Sequence, residues 1–149
     1  MSATGRANTP RGPRGIRLSE ALQRAIQHEA EARGRSWSAM TAELLDEAIR
    51  LRRVPGIAFV DGATGRRAVI AGTGLDVWEL IATWKEVGED EEALRQAYPW
   101  LSSMQLRSAL GYYQLYPQEI DARLKREAQW TKERLRRELP FAAPREADA

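Results

Sequence analysis

The side chains of this chain best equipped for chemistry are arginines placed to meet an anion, rather than nucleophiles or metal ligands. The sequence has no cysteine, which excludes disulfides, thiolate catalysis and cysteine-based zinc sites. His28 is the only histidine, and its polar surroundings suit a surface residue better than a general base. No nucleophile elbow, metal triad or carboxylate pair in an apolar setting is found, so no catalytic residue, metal or cofactor is expected. Glu86, Glu89, Asp90, Glu91 and Glu92 crowd one stretch without a histidine beside them and are read as a solvated acidic loop. Gly72-Thr73-Gly74 before a helix lacks both the P-loop lysine and the full dinucleotide pattern, and fits a tight backbone turn.

Three basic groups remain. Arg17 stands alone between Ile16 and Leu18. Arg6, Arg11 and Arg14 punctuate a segment of Gly, Pro, Ser and Thr. From Arg123 to Arg137, arginine and lysine alternate with Glu127, Glu133 and Glu138. Charge follows the same division. Residues 1–53 hold 10 basic and 6 acidic side chains, residues 54–122 hold 5 and 10, and residues 123–149 hold 8 and 5. Basic ends suit an anionic partner, and an acidic, tryptophan-bearing middle suits a protein better than a phosphate backbone.

The elements that position these groups can be read from periodicity. Residues 1–13 have almost nothing to bury and are expected to form a flexible basic arm. Residues 14–18 alternate with period two, which predicts a strand with Ile16 and Leu18 on one face and Arg17 on the other. Ser19 caps a helix carrying Leu22, Ala25, Ile26 and Ala30. A second helix after Ser36-Trp37-Ser38 carries Met40, Leu44, Leu45, Ala48 and Ile49, and Val54-Pro55-Gly56 breaks it.

A hairpin is then expected from 57–60 and 67–70, joined through Asp61-Gly62-Ala63-Thr64-Gly65. Asp76 with Glu79, and Ser102 with Gln105, read as capping boxes that open two helices. The first carries Val77, Leu80, Ile81, Trp84 and Val87; the second carries Leu106, Ala109, Leu110 and Tyr113. A short helix over Glu91–Tyr98 lies between them, and a last one runs from about Glu119 to Leu139. The fold class expected is mainly α, with a small hairpin.

A lone five-residue strand leaves its backbone groups unpaired, and two short helices bury too little for a monomer. A two-fold dimer remedies both faults, pairing two strands into a ribbon of the kind that fits a DNA major groove. Gly15-Ile16-Arg17-Leu18-Ser19, Arg33-Gly34-Arg35-Ser36-Trp37-Ser38 and Glu43-Leu44-Leu45-Asp46-Glu47-Ala48-Ile49 together resemble the ribbon-helix-helix family of CopG- and Arc-like repressors. The resemblance covers residues 14–53 and implies homodimerisation there. It makes Arg17 the base reader and places Ser36 and Ser38 at a phosphate-binding helix end. Separately, the basic arm with Arg6, Arg11 and Arg14 is expected to add phosphate contacts, which hold without specifying. Gly15 leaves the ribbon with Arg17 as its one obvious reading side chain. The bland alternative is a ribbon kept for assembly, with Arg17 merely solvated.

Residues 57–122 contain Arg66-Arg67, Ile70-Ala71-Gly72-Thr73-Gly74, Val77-Trp78, Tyr98-Pro99-Trp100-Leu101, Gln105-Leu106-Arg107-Ser108-Ala109-Leu110, Tyr112-Tyr113 and Pro117-Gln118-Glu119-Ile120-Asp121. In combination these resemble the helix-turn-helix domain of VapB-like antitoxins, which are encoded beside PIN-like ribonuclease toxins. The resemblance implies that Ser103, Gln105, Arg107 and Ser108 are exposed candidate readers. It also implies a toxin partner for the tail, residues 123–149, where Arg126, Arg134 and Arg137 could engage clustered carboxylates bidentately and Trp130 could serve as anchor; the alternative is that this arginine-rich helix is merely solvated.

The expected function is therefore an antitoxin that neutralises a PIN-like ribonuclease and represses its own operon by binding the operator. The alternatives are a stand-alone regulator whose second domain senses a ligand or mediates assembly, and an adaptor with no DNA role. No apolar run approaches bilayer-crossing length and no hydrophobic stretch follows the N-terminal arginines, so a cytoplasmic protein without membrane contact is expected.

Overall fold

The computed structural model describes residues 12–63, 65–129, 134, 137 and 138. These form six helices and one antiparallel hairpin, in the order α1 (Glu20–Ala32), α2 (Trp37–Arg53), β1 (Ile57–Gly62), β2 (Gly65–Ile70), α3 (Val77–Glu86), α4 (Glu91–Ala97), α5 (Ser103–Leu115) and α6 (Pro117–Ala128). The chain divides into two units within α2, residues 1–45 and residues 46–149. No helix among the described residues is long and apolar enough to cross a membrane.

In the first unit, local caps define both helices. The Ser19 hydroxyl accepts from the Leu22 amide at 3.3 Å and opens α1, and the Ser36 hydroxyl accepts from the Ala39 amide at 3.1 Å and opens α2. Ile26, Ala30 and Met40 are buried, with Leu18 packed against them. Three small-to-medium side chains make a slight core.

The expected inward face is mostly uncovered in the single chain. Ala25 and Leu22 on α1, and Leu44 and Leu45 on α2, are exposed, Leu45 by 52%. Residues 14–18 differ from expectation as well, since no strand forms there. The physical reason is plain: a strand is defined by its partner, and none of the described residues pairs with this segment.

The second unit is built around α3, which packs against β2, α4, α5 and α6. Both strands run longer than expected, pairing from Ile57↔Ile70 to Gly62↔Gly65, with two residues between them. The larger core residues are Ile57, Ile70, Val77, Leu80, Ile81, Leu94 and Tyr112, supplied by the hairpin and three helices. Burying such side chains contributes roughly 1.5–3 kcal/mol each.

Gly72 and Gly74 adopt φ of 77° and 69°. Thr73 closes the turn between them, donating its hydroxyl to the Ile70 carbonyl at 2.7 Å and accepting from the Leu75 amide at 3.1 Å. Gly72-Thr73-Gly74 is thus a tight backbone turn, as its glycines demand. The Ile70 amide returns to the Leu75 carbonyl and the Ala71 amide to the Gly56 carbonyl, each at 2.9 Å, fixing the hairpin's open end.

The helix starts follow the sequence signals. The Asp76 amide donates to Glu79 Oε2 at 3.0 Å at the head of α3. At α5, the Ser102 amide donates to Gln105 Oε1 at 2.8 Å, and Ser102 Oγ accepts from the Gln105 amide at 3.2 Å. Helix α6 begins two residues earlier than expected, with Pro117 in its first turn, where a missing amide costs nothing. Its expected continuation to Leu139 lies outside the described residues, except that 134, 137 and 138 are helical.

Candidate functional site

In the first unit, Arg14 and Arg17 are both exposed, and Ile16 is 66% exposed. Leu18 packs inward, and its carbonyl accepts from Gln23 Nε2 at 3.0 Å, which seats the 14–18 segment on the start of α1. At the head of α2, Ser36 spends its hydroxyl on capping, while Ser38 stays exposed in the first turn. Arg35 Nη1 donates to Glu43 at 2.6 Å, so this basic side chain of the loop is already engaged. Arg11 lies outside the described residues.

Helix α5 carries the second set of candidates, and the structure separates them. Ser103 accepts from Arg95 Nη1 at 2.9 Å, and Gln105 is held by its capping role. Ser108 is a correction to the expected exposed quartet. It is buried, and its hydroxyl donates to the Pro55 carbonyl at 2.8 Å, so it ties α5 to the loop before β1. A serine directly after an exposed arginine reads as polar surface in sequence; only packing against Pro55 turns it inward. Arg107 is exposed, and its side chain has no ion pair or hydrogen bond to another described residue.

Two charged networks hold the second unit, and neither was anticipated from sequence. Arg50 Nη1 donates to Tyr112 Oη at 2.7 Å and to Glu119, Tyr112 Oη donates to Glu119 Oε1 at 2.9 Å, and the Arg50 guanidinium lies 4.3 Å from the Tyr116 ring centroid. Burial works against the Arg50 charge, but the hydrogen bonds it donates to Glu119 and Tyr112 outweigh it and raise its pKa above the ordinary value. Burial first, then the nearby Glu119 carboxylate, pushes the Tyr112 phenol well above its usual range.

The second network contains the Arg66-Arg67 pair of the hairpin. Arg66 grips Glu47 with Nε at 2.6 Å and Nη2 at 2.9 Å, and reaches Asp61 at 3.2 Å. Arg67 meets the buried Asp76, which also accepts from Trp78 Nε1 at 2.9 Å. Arg123 stacks over Trp78 at 5.1 Å, and Arg126 lines the same small cleft. The pairs Arg50–Glu119, Arg66–Glu47 and Arg67–Asp76 lie nine or more positions apart and gave no period to detect, so spacing alone could not pair them.

Among the tail candidates, Arg126 and Arg137 are exposed, and Arg134 Nε donates to Glu138 at 2.9 Å one helical turn on. Trp130 lies outside the described residues. Among the described residues, no group of three or more His, Cys, Asp or Glu side chains is arranged to hold a metal ion. Asp90 of the acidic stretch instead caps α4, accepting from the Glu92 and Ala93 amides.

No curated protein matches this chain. A crystal structure of a DUF433 member protein from Anabaena variabilis ATCC 29413 is 24% identical, with a TM-score of 0.41, over 72% of this chain and 99% of the other. Residues 57–113, from the first residue of β1 into α5, match the model of a family described as a protein of unknown function, DUF433.

Proposed function

We propose that this protein is a dimeric DNA-binding antitoxin. Its first unit pairs with a second copy through residues 14–53 to form a two-stranded ribbon. Arg17 projects from that ribbon toward DNA bases, with Arg14, Arg11 and the Ser36–Ser38 end of α2 on phosphates. The second unit and tail hold a PIN-like ribonuclease toxin, and the complex represses its own operon.

The observation that carries this reading is the state of Ile16-Arg17-Leu18. The segment lies without a strand partner, Ile16 is 66% exposed, and Leu22, Leu44 and Leu45 are also uncovered in the same unit. Three buried side chains are too few for a unit of this size to stand alone, and a two-fold copy supplies both the missing strand and the missing cover. The charge of residues 1–53 favours an anionic partner for the face so formed.

The test is growth of a host expressing the reading frame beside this gene, with and without this protein. Arrest that co-expression relieves is the expected result. No arrest, or arrest without relief, overturns the antitoxin reading and leaves a stand-alone regulator as the better account.

A further inference from the structure

Helix α5 presents a face that the core does not use. Met104 is 70% exposed and Leu115 is 51% exposed, at the two ends of one stripe with the spacing 104, 108, 111, 115. Ser108, the second member, is turned to Pro55. The third member is Gly111, in the helix interior, where glycine is disfavoured relative to alanine. A Cβ placed there would meet nothing within 4 Å, so no neighbour among the described residues explains the missing side chain. Met104, Gly111 and Leu115, with Arg107, Arg53 and Pro55, line an open groove of about 410 Å³.

We propose that this groove docks an amphipathic helix of a protein partner, apolar along its contact stripe and acidic at its flanks. Gly111 lets the partner's backbone approach α5 closely, while Met104 and Leu115 bracket the crossing; methionine's flexible thioether fits itself to an incoming surface. The acidic flank follows from charge. Arg53 and Arg107 are exposed at the rim, and neither side chain has an ion pair or hydrogen bond to another described residue. A second copy placed symmetrically across α5 would bring these arginines toward their own counterparts, which disfavours self-association. A duplex would have no use for uncovered Met104 and Leu115 beside the arginines. The inference rests on the antitoxin reading for the partner's identity, the product of the neighbouring reading frame.

The test measures binding of the purified neighbouring product, and separately of operator DNA, to the full-length protein and its Gly111→Leu, Met104→Glu and Arg53→Gln variants. Gly111→Leu and Met104→Glu are expected to weaken product binding at least tenfold, with melting temperature and DNA affinity unchanged. Arg53→Gln is expected to weaken it a few-fold and to flatten its salt dependence. If Gly111→Leu disturbs folding, Met104→Glu, at a side chain already in solvent, carries the test. Equal product binding by all variants overturns the groove while leaving the antitoxin reading intact. Loss of DNA affinity with product affinity retained makes the α5 face a DNA reader and overturns the proposal. A variant that only lowers self-association overturns it in favour of a second copy. Failure of the unaltered protein to bind the product defeats the antitoxin reading and, with it, the occupant named here.

Discussion

Arg67 Nη1 lies 2.7 Å from both carboxylate oxygens of Asp76, a residue only 3% exposed. Asp76 thereby joins β2 to the start of α3 while also accepting from the Trp78 indole. One carboxylate serves hairpin, helix start and tryptophan at once.

Asp76→Ala removes all three interactions and strands Arg67 and Trp78 without their acceptor. Loss of a buried charged hub of this kind costs ~2–4 kcal/mol. Urea unfolding followed by circular dichroism should show the midpoint falling at unchanged slope. A loss below about 0.5 kcal/mol, the range of an ordinary surface substitution, would mean that water replaces these bonds freely.

Gly56 adopts a φ of 96°, and a Cβ there would stand 2.7 Å from Ser108 Oγ. Gly56→Ala therefore combines backbone strain with displacement of the hydroxyl that bonds Pro55. The expected cost is about 1–3 kcal/mol from the strained backbone. The double variant Gly56→Ala/Ser108→Ala should recover the part due to the clash, readable as a positive coupling in thermal melts.

The raised pKa of Tyr112 predicts a loss of stability at alkaline pH. Below about pH 10 the phenol is protonated in both folded and unfolded chains and adds no pH dependence. As pH rises past that value, the unfolded phenol ionises while the folded one, buried beside Glu119, stays protonated, so folding is progressively disfavoured. Tyr112→Phe should flatten this alkaline slope. It should also cost about 1–2 kcal/mol at neutral pH, because Arg50 and Glu119 lose a hydrogen-bonding partner. An unaltered slope in the variant would assign the alkaline loss to other groups.

Leu45→Glu tests the proposed dimer, since Leu45 is half exposed in the single chain and packs on nothing in its own small core. Sedimentation should show the unaltered protein as a dimer and the variant as a monomer with reduced helix content. A monomeric unaltered protein would remove the basis for a shared ribbon.

Arg17→Ala tests base reading with the dimer intact. Loss of a bidentate contact to guanine costs about 1–3 kcal/mol in specific binding. A fall in operator affinity of that size, with little change for unrelated DNA, is expected in gel-shift titrations. An equal fall for every sequence, with a shallower salt slope, would mark Arg17 as a phosphate contact instead.

Much of the local structure was legible because it is set by neighbours in sequence. Ser19, the Asp76–Glu79 pair and the Ser102–Gln105 pair each marked a helix start, since a capping side chain reaches amides only two or three residues on. The Gly72-Thr73-Gly74 turn was readable for the same reason, and the hairpin was clear apart from its ends. What failed was whatever depends on a partner distant in sequence. Arg50, Tyr112 and Glu119 are separated by up to 69 positions, and no period links them. Ser108 looked outward until Pro55 was placed beneath it.

Residues 14–18 mark the same boundary from the other side. Alternation fixed which side chains share a face, but a strand exists only when a second one supplies its hydrogen bonds. By itself, then, the sequence determined the helices, their caps, the hairpin and the charge of each segment, because these follow from propensity and short-range geometry. The tertiary structure decided which arginines are spent inside the second unit and which are left over. Arg66, Arg67 and Arg50 are consumed by carboxylates, and Arg53 and Arg107 remain at the rim of an uncovered groove. That choice is made by which carboxylates the fold brings within reach of each guanidinium, and distance along the chain does not encode it.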